Sequence, residues 1–322
     1  MPTLSELPHA FLAVLAVLLG LFFGSFLNVV IYRWPRGESV VYPGSHCPGC
    51  GAQVRSYDNV PVLSWLLLRG RARCCKAPIS ARYPAVELLG GLLGWAILER
   101  VVLELPATTP WWSVLGSFAA HLALGLGLLA AASIDLSHMY LPDEITLGGS
   151  VLGVVTVALR PDMGWQASLF GAAFGFLLIW LPFDLLYRAL RGQAGMGLGD
   201  AKLTMLAGAW FGWQGAVFAL LAGAIQGTLV ALAVFAARGR IDEPEAVTRE
   251  REELKRRIEA STGEERAQLE AEMALDPVAS EPEAGLGKAR LAFGPFLVLA
   301  TLEYMLFAGE IEALYTTWIW FA

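Results

Sequence analysis

The chain has 322 residues, of which 56% are hydrophobic and 16% charged, and its formal net charge is −6. This composition is too apolar for an ordinary soluble protein, so a water-soluble single domain is excluded. The charges are unevenly placed, since 238–290 alone holds 14 acidic and 10 basic residues. No dense basic stripe lies outside the loops that flank apolar segments, so the sequence gives no argument for nucleic-acid binding.

Eight apolar segments are candidate membrane spans, because crossing a bilayer takes about 20 mostly apolar residues. They are 10–31, 85–105, 111–133, 145–159, 165–187, 201–213, 215–237 and 291–306. The fourth and the sixth are short. Glycine and alanine are frequent in these segments, which favours close helix packing through small residues. We therefore expect an all-α polytopic membrane protein with about eight transmembrane helices and a small cysteine-containing cytoplasmic loop domain.

The basic residues of the loops predict the orientation in the membrane. Residues 32–82 contain eight basic side chains against two acidic ones, Glu38 and Asp58, which places this loop in the cytoplasm. No Lys or Arg precedes the first apolar segment, so we interpret it as a retained helix and not as a secretory signal.

The charged segment 238–290 has few apolar anchors. Opposite charges alternate through 248–273, which predicts a solvated helix, and a flexible Pro-containing tail is expected at 277–287. Such charge runs are usually solvated faces, so we favour a spacer without chemistry.

Two aspartates stand out, because charged groups in or beside a bilayer are costly and mark function by default. Asp135 ends the third apolar segment, and Asp200 follows the glycine-rich loop 195–199 and begins the sixth. On the predicted topology both lie at the cytoplasmic boundary, where two carboxyl groups sharing a site would activate a water molecule, as in aspartic proteases. An ordinary helix cap is the competing interpretation of Asp200. An anion at the C-terminal end of a helix opposes the helix dipole, so Asp135 needs another reason to be there.

All four cysteines lie in the first loop, which indicates a local metal or thiol site and not a fold-wide disulfide framework. Cys47 and Cys50 have the spacing of a zinc knuckle, but Cys74 and Cys75 are adjacent, and an adjacent pair does not easily reach one metal ion from a standard turn. A zinc ion could be held by Cys47, Cys50 and Cys75 with either Cys74 or His46. Reduced thiols or a vestigial site are the alternatives, since a cytoplasmic location disfavours disulfides.

Nine short motifs occur along the chain, at 28–33, 47–50, 59–65, 69–71, 79–87, 134–135, 141–146, 195–202 and 293–296. In this order they resemble the motifs of the bacterial type IV prepilin peptidases, also called type IV leader peptidases, which are aspartic proteases of the G-x-G-D type. The resemblance extends over most of the chain.

The resemblance implies a multi-pass enzyme of the bacterial inner membrane with its active site facing the cytoplasm. Such an enzyme cleaves the leader of type IV prepilins or type II secretion pseudopilins, and then methylates the new N-terminal residue with S-adenosylmethionine as cofactor. The family motifs assign the proteolytic pair to Asp135 and Asp200 and the active-site loop to Gly197, Gly199 and Lys202. The implied partners are prepilin or pseudopilin substrates and membrane lipids, with no nucleic acid.

The resemblance also places a zinc-type motif in the cysteine loop, on the methyltransferase side, with Cys47, Cys50, Cys74 and Cys75 as the candidate ligands. This sequence departs from the family pattern there. A second C-x-x-C would need cysteine at position 72, where the chain has Ala72.

Other charged motif residues have two interpretations. Glu87 and Lys202 match family motifs, and a buried polar tie and an interfacial cation are their structural alternatives. We expect Asp143 and Glu144 to contact the basic leader, because their charge is complementary to it.

These inferences divide the chain into five regions. They are a first transmembrane helix (1–31), a cytoplasmic cysteine-containing loop domain (32–83), a transmembrane protease core (84–237), a charged cytoplasmic insertion (238–290) that is unusual for the family, and a last transmembrane helix with the C-terminus (291–322).

The main alternative function is an ion- or proton-coupled transporter, in which Asp135, Asp184, Asp200 and Glu303 form a relay through the bundle. A relay needs carboxylates spread through the bilayer, whereas Asp135 and Asp200 are predicted at one face. A presenilin-type protease shares only the G-x-G-D motif, and a purely structural component of a secretion machine is the last alternative.

Overall fold

The computed structural model describes residues 7–47, 49–160, 163–191, 196–240, 243–275 and 291–321, and over these ranges the regular structure is helical apart from two isolated β-bridges. The helices are α1 (His9–Arg33), α2 (Leu63–Leu67), α3 (Arg82–Ile97), α4 (Trp111–His138), α5 (Asp143–Val155), α6 (Trp165–Ile179), α7 (Tyr187–Arg191), α8 (Leu198–Arg238), α9 (Glu245–Ala260), α10 (Gly263–Leu275) and α11 (Gly294–Phe321). The predicted all-α class is confirmed for this part of the chain.

Four helical segments are long and apolar enough to cross a membrane. They are His9–Arg36, Trp111–His138, Trp165–Leu190 and Leu198–Arg238. The remaining predicted spans also fall on helices, namely α3, α5, the second half of α8 and α11. The number of eight spans stays a prediction.

Helix α8 covers two of the predicted spans and is interrupted between them. Its 41 residues include Gly212, whose φ of 70° and ψ of −172° are not helical. A straight helix of this length would measure about 60 Å, twice the thickness of the hydrocarbon core of a bilayer. The break therefore divides α8 at the point where the sequence predicts a connection between two spans.

Contacts divide the chain into two compact units. Unit 1 comprises Met1–Ala130, Val155–Asp162 and Met305–Ala322, and unit 2 comprises Ala131–Val154 and Met163–Tyr304. Asp135 and Asp200 belong to unit 2, and the four cysteines belong to unit 1.

The core of unit 1 includes α1 and α3, whose backbones touch. A Cβ atom on Gly20 would lie 2.1 Å from the carbonyl oxygen of Gly90, and one on Gly94 would lie 2.4 Å from that of Ala16. Larger side chains do not fit at these positions, so the predicted packing through small residues is confirmed for this helix pair.

The core of unit 2 includes α6 and the first half of α8, which approach each other equally closely. A Cβ atom on Gly208 would lie 2.0 Å from the carbonyl oxygen of Gly171. The Thr204 hydroxyl donates a hydrogen bond to the carbonyl oxygen of Gly175 at 2.8 Å. These contacts hold the first turns of α8, which include Asp200, against α6.

The charged insertion forms two helices, α9 and α10, where a single solvated helix was predicted. They are separated at Ser261, whose φ of −92° and ψ of 156° are extended and end α9 before α10 begins at Gly263. Arg251 donates a hydrogen bond to Glu243 at 2.6 Å, and their side chains are only 7% and 6% exposed. The predicted tail at 277–287 lies outside the described residues.

Candidate active site and cysteine cluster

Asp135 lies one turn before the end of α4 and is buried, with 5% of its surface exposed. Helix α4 ends because Met139 adopts a φ of 54° while its N–H still donates to the carbonyl oxygen of Asp135. A backbone hydrogen bond from Gly294, the first residue of α11, reaches the Asp135 carboxylate. The buried carboxylate of α4 is therefore in contact with the beginning of α11, a helix far away in the sequence.

Gly294 has no side chain, and the Asp135 carboxylate occupies the space that a side chain would fill. A Cβ atom at this position would lie 2.6 Å from Oδ2 of Asp135 and 3.0 Å from Cδ2 of Leu141. Atoms at such distances overlap, so a side chain at 294 would displace the carboxylate or the leucine. The motif around Gly294 gives no prediction of a role at the site.

Asp200 lies in the first turn of α8, which begins after Gly197. A backbone hydrogen bond from Gly197 reaches the Asp200 carboxylate, and the Asp200 N–H donates to the Gly197 carbonyl oxygen at 3.1 Å. The Asp200 side chain thus supplies one half of a capping box, because the N-cap residue Gly197 has no side chain to return the bond.

The two aspartates lie in one cluster within unit 2. The carboxyl groups of Asp200 and Asp135 are close enough to interact electrostatically. Leu141 lies next to both residues that adjoin the aspartates. A Cβ atom on Gly199, beside Asp200, would be 3.3 Å from Leu141 Cβ, and one on Gly294, beside Asp135, would be 3.0 Å from Leu141 Cδ2. The structure thus brings together two carboxyl groups that the sequence separates by three helices, α5, α6 and α7.

Lys202 and Asp143, which the sequence analysis considered separately, form an ion pair. Lys202 Nζ lies 2.6 Å from Asp143 Oδ1, with 23% and 54% of the two side chains exposed. Asp143 begins α5, so the pair joins the start of that helix to the first turn and a half of α8. The Asp143 carboxylate already has a cation as partner, and both predicted leader contacts, Asp143 and Glu144, are exposed.

The first cysteine knuckle is a tight turn between Cys47 and Ala52. The N–H of Cys47 donates to the carbonyl oxygen of Ala52 at 2.8 Å, and the N–H of Gly51 donates to that of Cys47 at 2.8 Å. Gly51 has a φ of 70°, which glycine adopts without strain. The turn directs the Cys47 and Cys50 thiols to the same side.

The second knuckle repeats this hydrogen-bond pattern. The N–H of Ala72 donates to the carbonyl oxygen of Ala77 at 2.8 Å, and the N–H of Lys76 donates to that of Ala72 at 2.9 Å. Lys76 has a φ of 61° and takes the place that glycine has in the first knuckle. Ala72 therefore occupies the position equivalent to Cys47, and Cys74 supplies the missing thiol from a different point of the turn.

The four thiols converge and fit a tetrahedral metal ion. The sulfur atoms of Cys47, Cys50, Cys74 and Cys75 all lie within 4.8 Å of one another. The Cys47–Cys75 and Cys50–Cys74 sulfur distances are 3.6 Å and 3.3 Å. With zinc–sulfur bonds of about 2.3 Å, tetrahedral ligands lie about 3.8 Å apart. His46 is not part of this cluster.

The thiols of the cluster differ in acidity. A backbone hydrogen bond from Gly49 lowers the pKa of Cys47 to about 7. The contact with the Cys50 thiol raises the pKa of Cys74 to about 12. Without a metal ion, one negative charge would thus concentrate on Cys47, and a bound cation would have to release the protons of the other thiols.

Comparisons with known proteins point to one family. Residues 18–101 match the bacterial peptidase A24 N-terminal domain, and residues 122–232 match the type IV leader peptidase family. The prepilin leader peptidase/N-methyltransferase of Myxococcus xanthus is 40% identical over 244 residues, which is 74% of this chain and 68% of that protein. The proteins of the same name from Stutzerimonas stutzeri and Pseudomonas aeruginosa are 35% identical over 250 and 256 residues, covering 70% and 71% of this chain and 82% and 84% of theirs. No solved structure matches the chain.

Proposed function

Because the chain belongs to the type IV leader peptidase family, we propose that it cleaves the leader of type IV prepilins or type II secretion pseudopilins with Asp135 and Asp200 as the catalytic pair. The resemblance inferred from the sequence motifs is confirmed, and the chain is an enzyme. Gly197 carries no side chain beside Asp200, which would leave room there for an extended peptide, whereas Gly199 packs against Leu141.

The proposed chemistry uses both carboxyl groups in different protonation states. Two carboxyl groups that share a site do not easily ionise together, so one keeps its proton. The ionised group accepts a proton from a water molecule, whose oxygen attacks the scissile carbonyl carbon. The protonated group donates to the carbonyl oxygen, and the amide nitrogen leaves as an amine once it is protonated.

A single observation supports this pairing most strongly, namely the position of Asp135 and Asp200 in one cluster of unit 2 around Leu141. The test is cleavage of a prepilin by the full-length protein in detergent, followed by mass spectrometry. Asp135→Asn and Asp200→Asn should each slow cleavage by about 10²- to 10⁴-fold, the range of general acid–base catalysis.

The matched control is Asp184→Asn. Asp184 is also buried, at 9% exposure, and lies in the same unit, but its carboxylate is paired with Arg188 at 2.6 Å. We expect near-normal cleavage from this variant. Equal losses in all three variants would contradict the assignment of the pair.

The proposed second activity is methylation of the new N-terminal residue, which the printed names of the relatives include. S-adenosylmethionine would supply the methyl group. We assign no residue of the described chain to its binding, and mass spectrometry of the cleavage product with and without this cofactor tests the activity.

We further propose that Cys47, Cys50, Cys74 and Cys75 hold a zinc ion. Four thiolates would fill a tetrahedral site and leave no open coordination position, so the ion would have a structural role in the loop. Its contribution would be to join the two knuckles.

The predicted membrane arrangement completes the proposal. The protein would cross the inner membrane eight times, with the regions 1–31, 32–83, 84–237, 238–290 and 291–322 as predicted. The active site would face the cytoplasm, and lipids would surround the bundle. The family match does not favour the transporter alternative. Arg188 donates a hydrogen bond to Asp184, and Gln226 donates one to Glu303. These contacts give a relay no support.

A further inference from the structure

Helix α2, in the cysteine loop of unit 1, exposes an apolar face. Leu63, Leu66 and Leu67 are 52%, 58% and 74% exposed, whereas Ser64 is buried. Three large aliphatic side chains on one short helix are costly to leave in water. A contiguous exposed apolar group of this kind marks an interaction surface.

Glu87 of α3 ties the beginning of α2 to α1. Its Oε2 accepts a hydrogen bond from the backbone N–H of Val62 at 2.6 Å, and its Oε1 accepts one from the Ser25 hydroxyl at 2.7 Å. Val62 adopts a φ of 60° and a ψ of −48°, a strained conformation for a β-branched residue. The strained residue, Val62, is the one whose N–H donates to Glu87.

The position of this tie along α1 and α3 gives the depth of α2. Ser25 precedes Arg33 by eight residues, or about 12 Å along the helix axis, and Glu87 follows Arg82 by five, or about 8 Å. Arg33 and Arg82 are the basic residues at the ends of these two helices. The first turn of α2 is therefore held about 10 Å to the apolar side of the basic ends, where amphipathic helices of the membrane interface lie.

The backbone around α2 meets the requirement that a bilayer imposes on it, namely that polar groups find partners within the protein. The N–H of Val60 donates to the Ser64 hydroxyl at 3.1 Å, and the N–H of Ser64 donates back to the Val60 carbonyl oxygen at 3.1 Å. The N–H of Leu66 donates to Val62, and the Trp65 indole donates to the carbonyl oxygen of Ile79 at 3.0 Å. These backbone and indole N–H groups therefore have partners within the protein.

The residues that follow α2 are basic. Arg69 and Arg71 are exposed, and they leave the helix on its C-terminal side. Arginines beside an apolar segment interact favourably with the anionic headgroups of phospholipids. Along the chain, apolar side chains suited to acyl chains are thus followed by basic side chains suited to headgroups.

We propose that α2 lies in the interfacial layer of the lipid bilayer, with Leu63, Leu66 and Leu67 among phospholipid acyl chains and with Arg69 and Arg71 at anionic headgroups. The cysteine loop is then held to the membrane at three places, namely α1, α2 and α3. This placement rests on α1 crossing the membrane and is independent of the catalytic role of the aspartates.

The test uses the wild-type full-length protein, one copy per nanodisc, in a bilayer that includes an anionic phospholipid and a phospholipid with a diazirine in its acyl chain. Ultraviolet light generates a carbene that inserts into nearby C–H bonds, and peptide mass spectrometry locates the adducts. Leu66, at 58% exposure, is matched by Leu18 of α1 at 56% and by Tyr57 of the cysteine loop at 54%.

The peptide containing Leu66 should label as strongly as the one containing Leu18 and about tenfold more than the one containing Tyr57, since only the first two reach acyl chains. Glu87→Ala should reduce labelling at Leu66 to the level of Tyr57 without changing Leu18. Glu87→Gln keeps an acceptor oxygen and should retain most of the labelling. Wild-type labelling at Leu66 no higher than at Tyr57 would overturn the proposal, even if the variants do not fold.

Discussion

Gly294→Ala tests whether the position of the Asp135 carboxylate determines the rate of leader cleavage. The added Cβ would lie 2.6 Å from Asp135 Oδ2 and 3.1 Å from its Cγ. An ordinary contact needs about 3.4 Å or more, so the carboxylate or α11 has to move by roughly 0.8 Å. A misplacement of about 1 Å at a reacting group costs about 100-fold in rate, and we expect a loss of kcat of this order.

The matched control is Gly309→Ala on the same helix, where an added Cβ would meet nothing within 4 Å. Both variants add the same methyl group to α11, so a difference in prepilin cleavage between them reports the contact with Asp135. Thermal unfolding in detergent shows whether Gly294→Ala remains folded. A folded Gly294→Ala variant that cleaves within about twofold of the wild-type rate would refute the argument, because an effect below about 0.4 kcal/mol leaves the carboxylate where it was.

Three further predictions concern the cysteine cluster and the ion pair. Cys74→Ala should lower zinc affinity by more than about 100-fold, because loss of an outer-shell partner alone costs up to about that much. A second change, Ala72→Cys, should restore the affinity, because position 72 is equivalent to Cys47. Metal analysis of the purified proteins measures both. Lys202→Met should reduce the free energy of unfolding by less than about 1 kcal/mol, since Asp143 is 54% exposed, and a larger loss in a melting experiment would contradict a solvent-screened pair. In the metal-free protein, one thiolate should appear as pH rises through about 7, the lowered pKa of Cys47; ultraviolet thiolate absorbance that appears only above pH of about 8.5, the ordinary value, would exclude it.

Local signals in the sequence are enough to single out the two aspartates, whose catalytic role stays a prediction. A charge at the end of an apolar segment is costly wherever the chain folds, and glycines before Asp200 mark the beginning of a helix. The contact of Gly294 with Asp135 depends instead on how α11 packs against the end of α4, which no local pattern encodes. Small residues are common in membrane helices, so this glycine has no distinguishing signal in a single sequence.

The cysteine cluster shows a second limit of prediction. The adjacent pair Cys74 and Cys75 looks unsuited to one metal ion when a standard turn is assumed. The structure brings both sulfurs into the cluster because Lys76 takes a left-handed conformation that a sequence pattern assigns to glycine. Spacing rules fail here since they presume a particular backbone path.

Helix lengths explain why the number of spans is harder to predict. Helix α5 has 13 residues and α3 has 16, so each falls below the length that identifies a span from hydropathy alone. Their apolar residues fit a bundle as well as a bilayer, and hydropathy does not separate the two environments.

The break at Gly212 has a mechanical consequence for α8. A continuous helix transmits bending along its whole length, because each turn is joined to the next by hydrogen bonds. At Gly212 this stiffness is lost, while Thr204 fastens the preceding turns to Gly175. A tilt of the distal half of α8 would therefore leave the position of Asp200 unchanged.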